Sequence, residues 1–211
     1  MREIVKDYLW FQRIDSIDNS KLYDTCANID KKLRTVFPPV PDDNFYGCFT
    51  SYYHTSYNLF TFACPELHKL YTNLVRYISP VIDQNTQYYI RSWVNLFEPG
   101  MNIDWHGHWE PQLKTYHGFY CVNTEGPVDS YTDYRIPGQP ELRVMSEDGL
   151  LVFGKSEDDR HRSSPWENTG KCRMTIAFDI IPVEALKVGD YGQYLLHDYL
   201  PFIQLANLTD K

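Results

Sequence analysis

The most restrictive feature of this 211-residue chain is a series of short apolar segments that begins near residue 86. The segments are rich in β-branched and aromatic residues, which favour strands, and Gly, Pro, Asn or Asp separates one from the next. They predict strands at 87–97, 103–109, 116–123, 150–154 and 172–181. Several short strands divided by turns are typical of a sandwich or barrel, so we predict a mostly β body.

Two helices are predicted ahead of this body. Apolar residues recur at helical spacing over 15–36, where Asp18 or Asn19 can cap the start. A second helix is predicted to begin at Pro65, since proline suits a first helical turn, and to end near Pro80.

The layout predicts one domain over residues 1–211. Residues 1–85 form its helical N-terminal part and 86–182 its β core. Residues 183–211 are expected to begin as a helix and to end in an aromatic stretch that packs on the core.

Composition excludes several classes of protein. The net charge of −8 argues against a protein that coats nucleic acid, because a polyanion requires a basic surface. The sequence contains no apolar run near the ~20 residues of a membrane helix, and no apolar leader at its start. Five cysteines without a CxxC pair predict reduced thiols. We therefore expect a cytoplasmic protein without a membrane partner.

The histidines mark a candidate metal site. On a strand, His106, His108 and Glu110 share one face and can converge on one ion. His161, which lies between two apolar strands, is the candidate third ligand. Two neighbouring ligands plus a distant histidine form the pattern of the facial triad that binds non-haem Fe(II). The two neighbouring ligands are either His106 and His108 or His108 and Glu110, and both pairs stay open at this point. His117 is a candidate for a residue that surrounds the metal ligands.

Arg173 begins a strongly apolar strand, where a charge is costly unless it is paired. Strand alternation puts Thr175 on the same face. A guanidinium offers two parallel donors to a carboxylate, so this pair suits a small dicarboxylate. The alternative interpretation is a structural ion pair with Glu141 or Asp179.

Taken in order, these motifs resemble the 2-oxoglutarate and Fe(II)-dependent oxygenases, especially a phage and marine bacterial group with a His-x-His motif. The similarity covers about residues 86–182. The segments that carry it are Ser92–Gly100 (SWVNLFEPG), Trp105–His108 (WHGH), His117–Asn123 (HGFYCVN), Gly149–Phe153 (GLLVF), His161 with Pro165, and Arg173–Ile180 (RMTIAFDI).

The resemblance implies an α+β, mostly β fold, the cupin-like double-stranded β-helix or jelly roll, with supporting N-terminal helices. It also implies Fe(II) as the metal, with His106 as its first ligand. The second ligand in the family is usually Asp or Glu, and this sequence has His108 there. The cosubstrates implied are 2-oxoglutarate, held by Arg173 and Thr175, and O₂.

The implied reaction is hydroxylation of a protein, peptide or small molecule, with peptidyl proline or another side chain favoured. Four residues are candidates to line the pocket: Trp93, Asn95, His117 and Tyr120. Two rival interpretations remain open at this point. One is a cupin-like metalloprotein without 2-oxoglutarate, and the other is a catalytically inactive structural or assembly protein, as in a virion. The expected location is the cytoplasm, that of the host if the chain is phage-encoded.

Overall fold

The computed structural model describes residues 1–36, 47–51, 57–124, 126, 128–187 and 199–202. Two antiparallel sheets and two helices account for most of this part of the chain. Helix α1 (Asn19–Val36) and helix α2 (Pro65–Ile78) confirm the two predicted helices. Asp18 caps α1, since its Oδ1 accepts a hydrogen bond from the Lys21 backbone N at 3.1 Å.

The strands are β1 (Arg2–Val5), β2 (Leu9–Arg13), β3 (Phe49–Thr50), β4 (Tyr88–Phe97), β5 (Tyr116–Asn123), β6 (Tyr131–Arg135), β7 (Leu142–Met145), β8 (Leu150–Lys155), β9 (Arg160–Ser163), β10 (Arg173–Pro182) and β11 (Leu200–Phe202). The larger sheet has the order β1-β2-β8-β5-β10-β4-β11, with β3 also paired to β4. The smaller sheet has the order β7-β6-β9. This mostly β architecture confirms the predicted fold class.

The main core lies between the larger sheet and the two helices. Met174, Ile176 and Phe178 of β10 are fully buried there, in one cluster with Leu70 and Leu74 of α2. Burial of a side chain of this size contributes about 1.5–3 kcal/mol. The alternate residues of β10 therefore face away from the helices, towards the smaller sheet.

The predicted strand at 103–109 is wrong as a regular element. The chain runs antiparallel beside β9 only as far as His106, whose backbone N–H and C=O both bond to those of His161. A Cβ at Gly107 would lie 3.0 Å from the Asp159 carbonyl oxygen, and the chain leaves the sheet there. His108 is therefore not placed by strand alternation.

Several strands were not predicted from the sequence. Strands β1 and β2 lie in the part expected to be helical, and β6, β7 and β9 are the three strands of the smaller sheet. In the C-terminal segment, residues 185–187 form a short 3₁₀ turn and β11 pairs with β4. The rest of the predicted tail, 188–198 and 203–211, lies outside the described residues. Neither described helix is long and apolar enough to cross a bilayer.

Candidate metal centre and cavity

A cavity of about 210 Å³ opens between the two sheets. The larger sheet contributes the cavity-facing residues of β4, β5 and β10, and the smaller sheet contributes β6 and β9. The polar side chains among its lining are Thr50, Asn95, His106, His108, His117, Thr132, His161, Ser163, Arg173, Thr175 and Asp179. Histidines lie in the same cavity as the arginine, so the two halves of the predicted site meet in one space.

Three of these histidines form a possible metal-ligand set. His106, His108 and His161 each offer a ligand atom within 4.8 Å of the others. Their ring centroids are separated by 4.2 Å for His106 and His161, 5.2 Å for His108 and His161, and 5.7 Å for His106 and His108. The predicted ligands are therefore brought together from the irregular segment after β4 and from β9.

An oxygen atom lies near the Nδ1 of each ring, at hydrogen-bond distance for His106 and His108 and farther away for His161. The Asp104 carbonyl oxygen lies 2.8 Å from Nδ1 of His106, and Asp179 Oδ1 lies 2.8 Å from Nδ1 of His108. Nδ1 of His161 lies 3.5 Å from Asp159 Oδ2. An acceptor at Nδ1 favours a proton there and leaves the Nε2 lone pair for a metal.

The charges of the site follow from burial and from these carboxylates. Burial, and then the neighbouring His108, lower the pKa of His106 to about 4. Burial and the charge of His106 hold the pKa of His161 well below its usual value. Burial also acts to lower the pKa of His108, but Asp179 outweighs it and the net pKa is raised. Two of the three rings are thus held neutral, the form that binds metal.

Sequence reasoning did not place Asp179 or Asp159 beside the histidines. Asp179 shares the cavity face of β10 with Arg173, so strand alternation could have found it. Its Oδ2 also accepts a hydrogen bond from Trp109 Nε1 at 3.0 Å. Asp159 precedes His161 by two residues and forms a second possible ligand set with His117 and His161.

Arg173 is 1% exposed and lines the cavity. Its Nη1 and Nη2 lie 3.5 Å from the Ser164 carbonyl oxygen and 3.3 Å from Ser146 Oγ, and its Nε has no hydrogen-bond partner. Burial lowers its pKa, and no carboxylate of the described residues forms an ion pair with it.

The structural ion pair considered for Arg173 is not formed. Glu141 pairs with Arg135 at 3.0 Å, and Asp179 is bonded to His108. Thr175 follows Arg173 on the same face of β10 and also lines the cavity.

Two other predicted site residues lie elsewhere. Glu110 is exposed and bonds to Gln112, so the alternative ligand pair of His108 and Glu110 does not assemble. Tyr120 is fully buried on the helix side of the larger sheet, where its hydroxyl donates to Asn19 Oδ1 at 2.8 Å. His117 and Tyr120 are three residues apart on β5 and so face opposite sides of the sheet.

The remaining pocket residues lie where they were expected. Trp93, Asn95 and His117 all line the cavity. Asn95 lies opposite Thr175 in the β4–β10 register, and its Oδ1 is buried without a hydrogen-bond partner. The cavity thus contains unpaired polar atoms on both Asn95 and Arg173.

No protein-family model matches this sequence, and no curated protein matches it. Solved structures do match. A Pseudomonas putida prolyl-4-hydroxylase is 13% identical, with a TM-score of 0.55 over 82% of this chain and 91% of that chain. A Trichoplax adhaerens prolyl hydroxylase, in complex with a hypoxia inducible factor peptide fragment, is 10% identical. Its TM-score is 0.58 over 83% of this chain and 84% of that chain.

A third match is a viral collagen prolyl hydroxylase from Paramecium Bursaria Chlorella virus-1 in a 2-oxoglutarate complex. It is 11% identical, with a TM-score of 0.54 over 82% of this chain and 96% of that chain. The chain has the fold of the 2-oxoglutarate and Fe(II) oxygenases. This is the double-stranded β-helix that the sequence predicts.

In this oxygenase fold, the donor set fits a divalent metal. Imidazole is a ligand that suits iron, and a set of three imidazoles leaves further positions open for other ligands. His106, His108 and His161 are the residues that would hold the ion.

Proposed function

We propose that this chain is a 2-oxoglutarate and Fe(II)-dependent oxygenase that hydroxylates its substrate. Fe(II) is held by His106, His108 and His161, and the far carboxylate of 2-oxoglutarate is held by Arg173 with Thr175. Bound Fe(II) supplies the one-electron and O₂ chemistry that side chains cannot perform.

The observation that carries this proposal is the unpaired guanidinium of Arg173. A buried charge without a counter-ion is expensive, and the anion that would compensate for it has to come from outside the chain. The guanidinium faces the same cavity as the three histidines. A small dicarboxylate that reaches from the metal to Arg173 satisfies both groups.

The other cavity residues position ligands and exclude water. Thr175 supplies a hydroxyl beside Arg173, and Asn95 supplies an unpaired amide oxygen opposite it. Trp93 and Phe97 form apolar walls, and the Phe97 ring lies 5.0 Å from the guanidinium carbon. Because these walls exclude water, they strengthen the charge-assisted bond to the carboxylate.

The favoured substrate is peptidyl proline or another protein side chain. Support comes from the prolyl hydroxylases among the similar structures, one of which is in complex with a peptide fragment. A small-molecule substrate is the second option within the same reaction class. The net charge of −8 argues against nucleic acid as the partner. The five cysteines carry free thiols, which supports a cytoplasmic location, that of the host if the chain is phage-encoded.

A cupin-like metalloprotein without 2-oxoglutarate is the second candidate function. The three-histidine ligand set favours it, because this set has one negative charge less than two histidines with a carboxylate. The unpaired Arg173 argues against it, because such a protein has no use for a buried carboxylate anchor. An inactive structural or assembly protein is the third candidate, and it predicts no specific metal content.

The direct experiment is turnover of 2-oxoglutarate by the Fe(II)-loaded protein, measured as succinate formation with and without a panel of peptides and small molecules. The proposal expects succinate that depends on Fe(II) and rises with the correct substrate. Metal binding without any 2-oxoglutarate binding would select the cupin-like alternative. Absence of specific metal would select the structural one.

A further inference from the structure

We propose that His117, Asp159 and the Nδ1 side of His161 form a second divalent-metal site, which competes with the three-histidine site for His161. The inference rests on the proposed function only in that the two sites share this histidine. The ion expected there is a borderline divalent metal such as Zn²⁺, Co²⁺ or Fe²⁺, which combine imidazole with carboxylate ligands.

The distances in this second set are close to the edges of a metal polyhedron. Oδ2 of Asp159 lies 3.1 Å from His117 Nε2 and 3.5 Å from His161 Nδ1. Ligand atoms at about 2.1 Å from a metal, at angles between octahedral and tetrahedral, lie about 3.0–3.4 Å apart. The three ligand atoms lie within 4.8 Å of one another.

The polar atoms of this set are buried without hydrogen-bond partners. His117, Asp159 and His161 are 3%, 4% and 7% exposed. His117 Nε2, Asp159 Oδ1 and His161 Nδ1 all lack a hydrogen bond of acceptable geometry. Buried groups of this kind are normally hydrogen-bonded. Both nitrogens lie close to the Asp159 carboxylate without forming such a bond, and one metal ion between them would satisfy all three groups.

Gly154 lies opposite His117 in the β5–β8 register. A Cβ at this glycine would lie 2.9 Å from Leu9 Cδ1, 3.3 Å from the Tyr8 carbonyl oxygen and 3.9 Å from His117 Nε2. A side chain at residue 154 would therefore crowd this nitrogen and its surroundings.

Competition between the two sites follows from the chemistry of His161. A neutral imidazole has one lone pair and one N–H. The three-histidine site requires the lone pair at Nε2, with the Nδ1 proton directed at Asp159. The second site requires the lone pair at Nδ1, with Asp159 as a ligand. One neutral ring supplies one of these arrangements at a time, so the chain is expected to bind one ion in either place.

The second site differs from the three-histidine site in its charge. Asp159 is not among the residues that line the cavity, whereas His117 and His161 are. This site contains a carboxylate and so has one negative charge more than the three-histidine site. Excess Zn²⁺ is therefore expected to occupy it at the expense of the cavity site.

The test uses variants of the whole chain. Titration with Co²⁺ or Zn²⁺ measures the metal affinity, and elemental analysis after desalting measures the metal content. The double variant His106→Gln/His108→Gln removes the first set and is expected to retain one ion per chain. Adding Asp159→Asn to this variant is expected to weaken binding by more than the roughly 100-fold upper value for an outer-shell residue. The single variant His106→Gln, with and without Asp159→Asn, repeats the test with a smaller change.

Asp158→Asn is the matched control, because Asp158 is the exposed neighbour of Asp159. It is expected to leave the affinity of the double variant unchanged. Loss of the ion from folded His106→Gln/His108→Gln protein would overturn the proposal, as would an ion retained after Asp159→Asn is added. Neither result depends on 2-oxoglutarate, so a failure of the proposed function would be seen separately.

Discussion

Nδ1 of His108 lies 2.8 Å from Oδ1 of Asp179, and this contact joins the irregular segment after β4 to strand β10. The carboxylate is fully paired, since its other oxygen accepts from Trp109. His108 stands outside any regular strand, so Asp179 and the backbone around Gly107 set the position of its ring. The candidate metal centre therefore depends on a residue 71 positions away from His108 in the chain.

Asp179→Asn should weaken metal binding at the cavity site. The amide keeps the shape but removes the charge that orients and polarises the His108 ring, and outer-shell changes of this kind cost about 10–100-fold in affinity. Anaerobic titration with Fe²⁺ in the presence of 2-oxoglutarate measures this loss of metal affinity. Asp104→Asn is the control, because Asp104 contacts His106 through its backbone carbonyl and its side chain accepts from the Trp105 N–H. Equal losses in both variants would contradict the role assigned to Asp179.

Arg173→Ala should weaken 2-oxoglutarate binding and leave the metal in place. A charge-assisted bidentate bond contributes roughly 1.5–3 kcal/mol, or about 10–100-fold in affinity. Arg173→Lys should recover only part, since lysine lacks the fork geometry. The 2-oxoglutarate affinity is measured as the midpoint of a titration of the anaerobic Fe(II) protein, followed by the absorption band that 2-oxoglutarate forms with it. Arg160→Ala, an exposed arginine of β9, should change nothing. An unchanged midpoint in folded Arg173→Ala protein would make the residue structural.

His106→Gln and His108→Gln should each remove the same absorption band, because both residues belong to the proposed ligand set of the cavity metal. Glu110→Gln should keep it, since Glu110 is exposed and bonded to Gln112. His161→Ala should remove metal from the whole chain. A band lost in Glu110→Gln and kept in His106→Gln would restore the alternative ligand pair.

Tyr120→Phe should lower stability without any effect on 2-oxoglutarate affinity. The change removes the hydrogen bond to Asn19, which joins β5 to the first turn of α1 and is worth about 0.5–1.5 kcal/mol. Urea unfolding and the 2-oxoglutarate titration measure the two effects. A changed titration midpoint with unchanged stability would return Tyr120 to the pocket.

The metal-free protein should lose stability as the pH falls from 6.5 towards 4. Burial, and then His108, lower the pKa of His106 from 6.5 to about 4, so the unfolded chain binds this proton more readily within that window. The contribution of neutral His106 to stability is complete above pH 6.5 and declines as the pH falls below that value. Urea unfolding at pH 7, 6 and 5 measures how the free energy of unfolding changes with pH. This change should be smaller in His106→Gln. An identical slope in both proteins would contradict the low pKa.

Part of the candidate site was predictable from local patterns. Strand periodicity puts Arg173 and Thr175 on one face of β10, and both line the cavity. The sequence left the near ligand pair open between His106 with His108 and His108 with Glu110, and the structure brings His106, His108 and His161 together. Alternation also shows that His117 and Tyr120 cannot share a pocket, because they lie three residues apart on one strand.

Only the tertiary structure decided which carboxylates serve the histidines. Asp179 reaches His108 and Asp159 reaches His161 and His117 through strand register and a break in regular pairing at Gly107. The same break turns Glu110 away, although its spacing from His108 made it the more conventional ligand. Local sequence determines side-chain type and face, because these repeat with the backbone period. Partners across sheets depend on pairings between distant segments, and these are fixed only when the whole core packs.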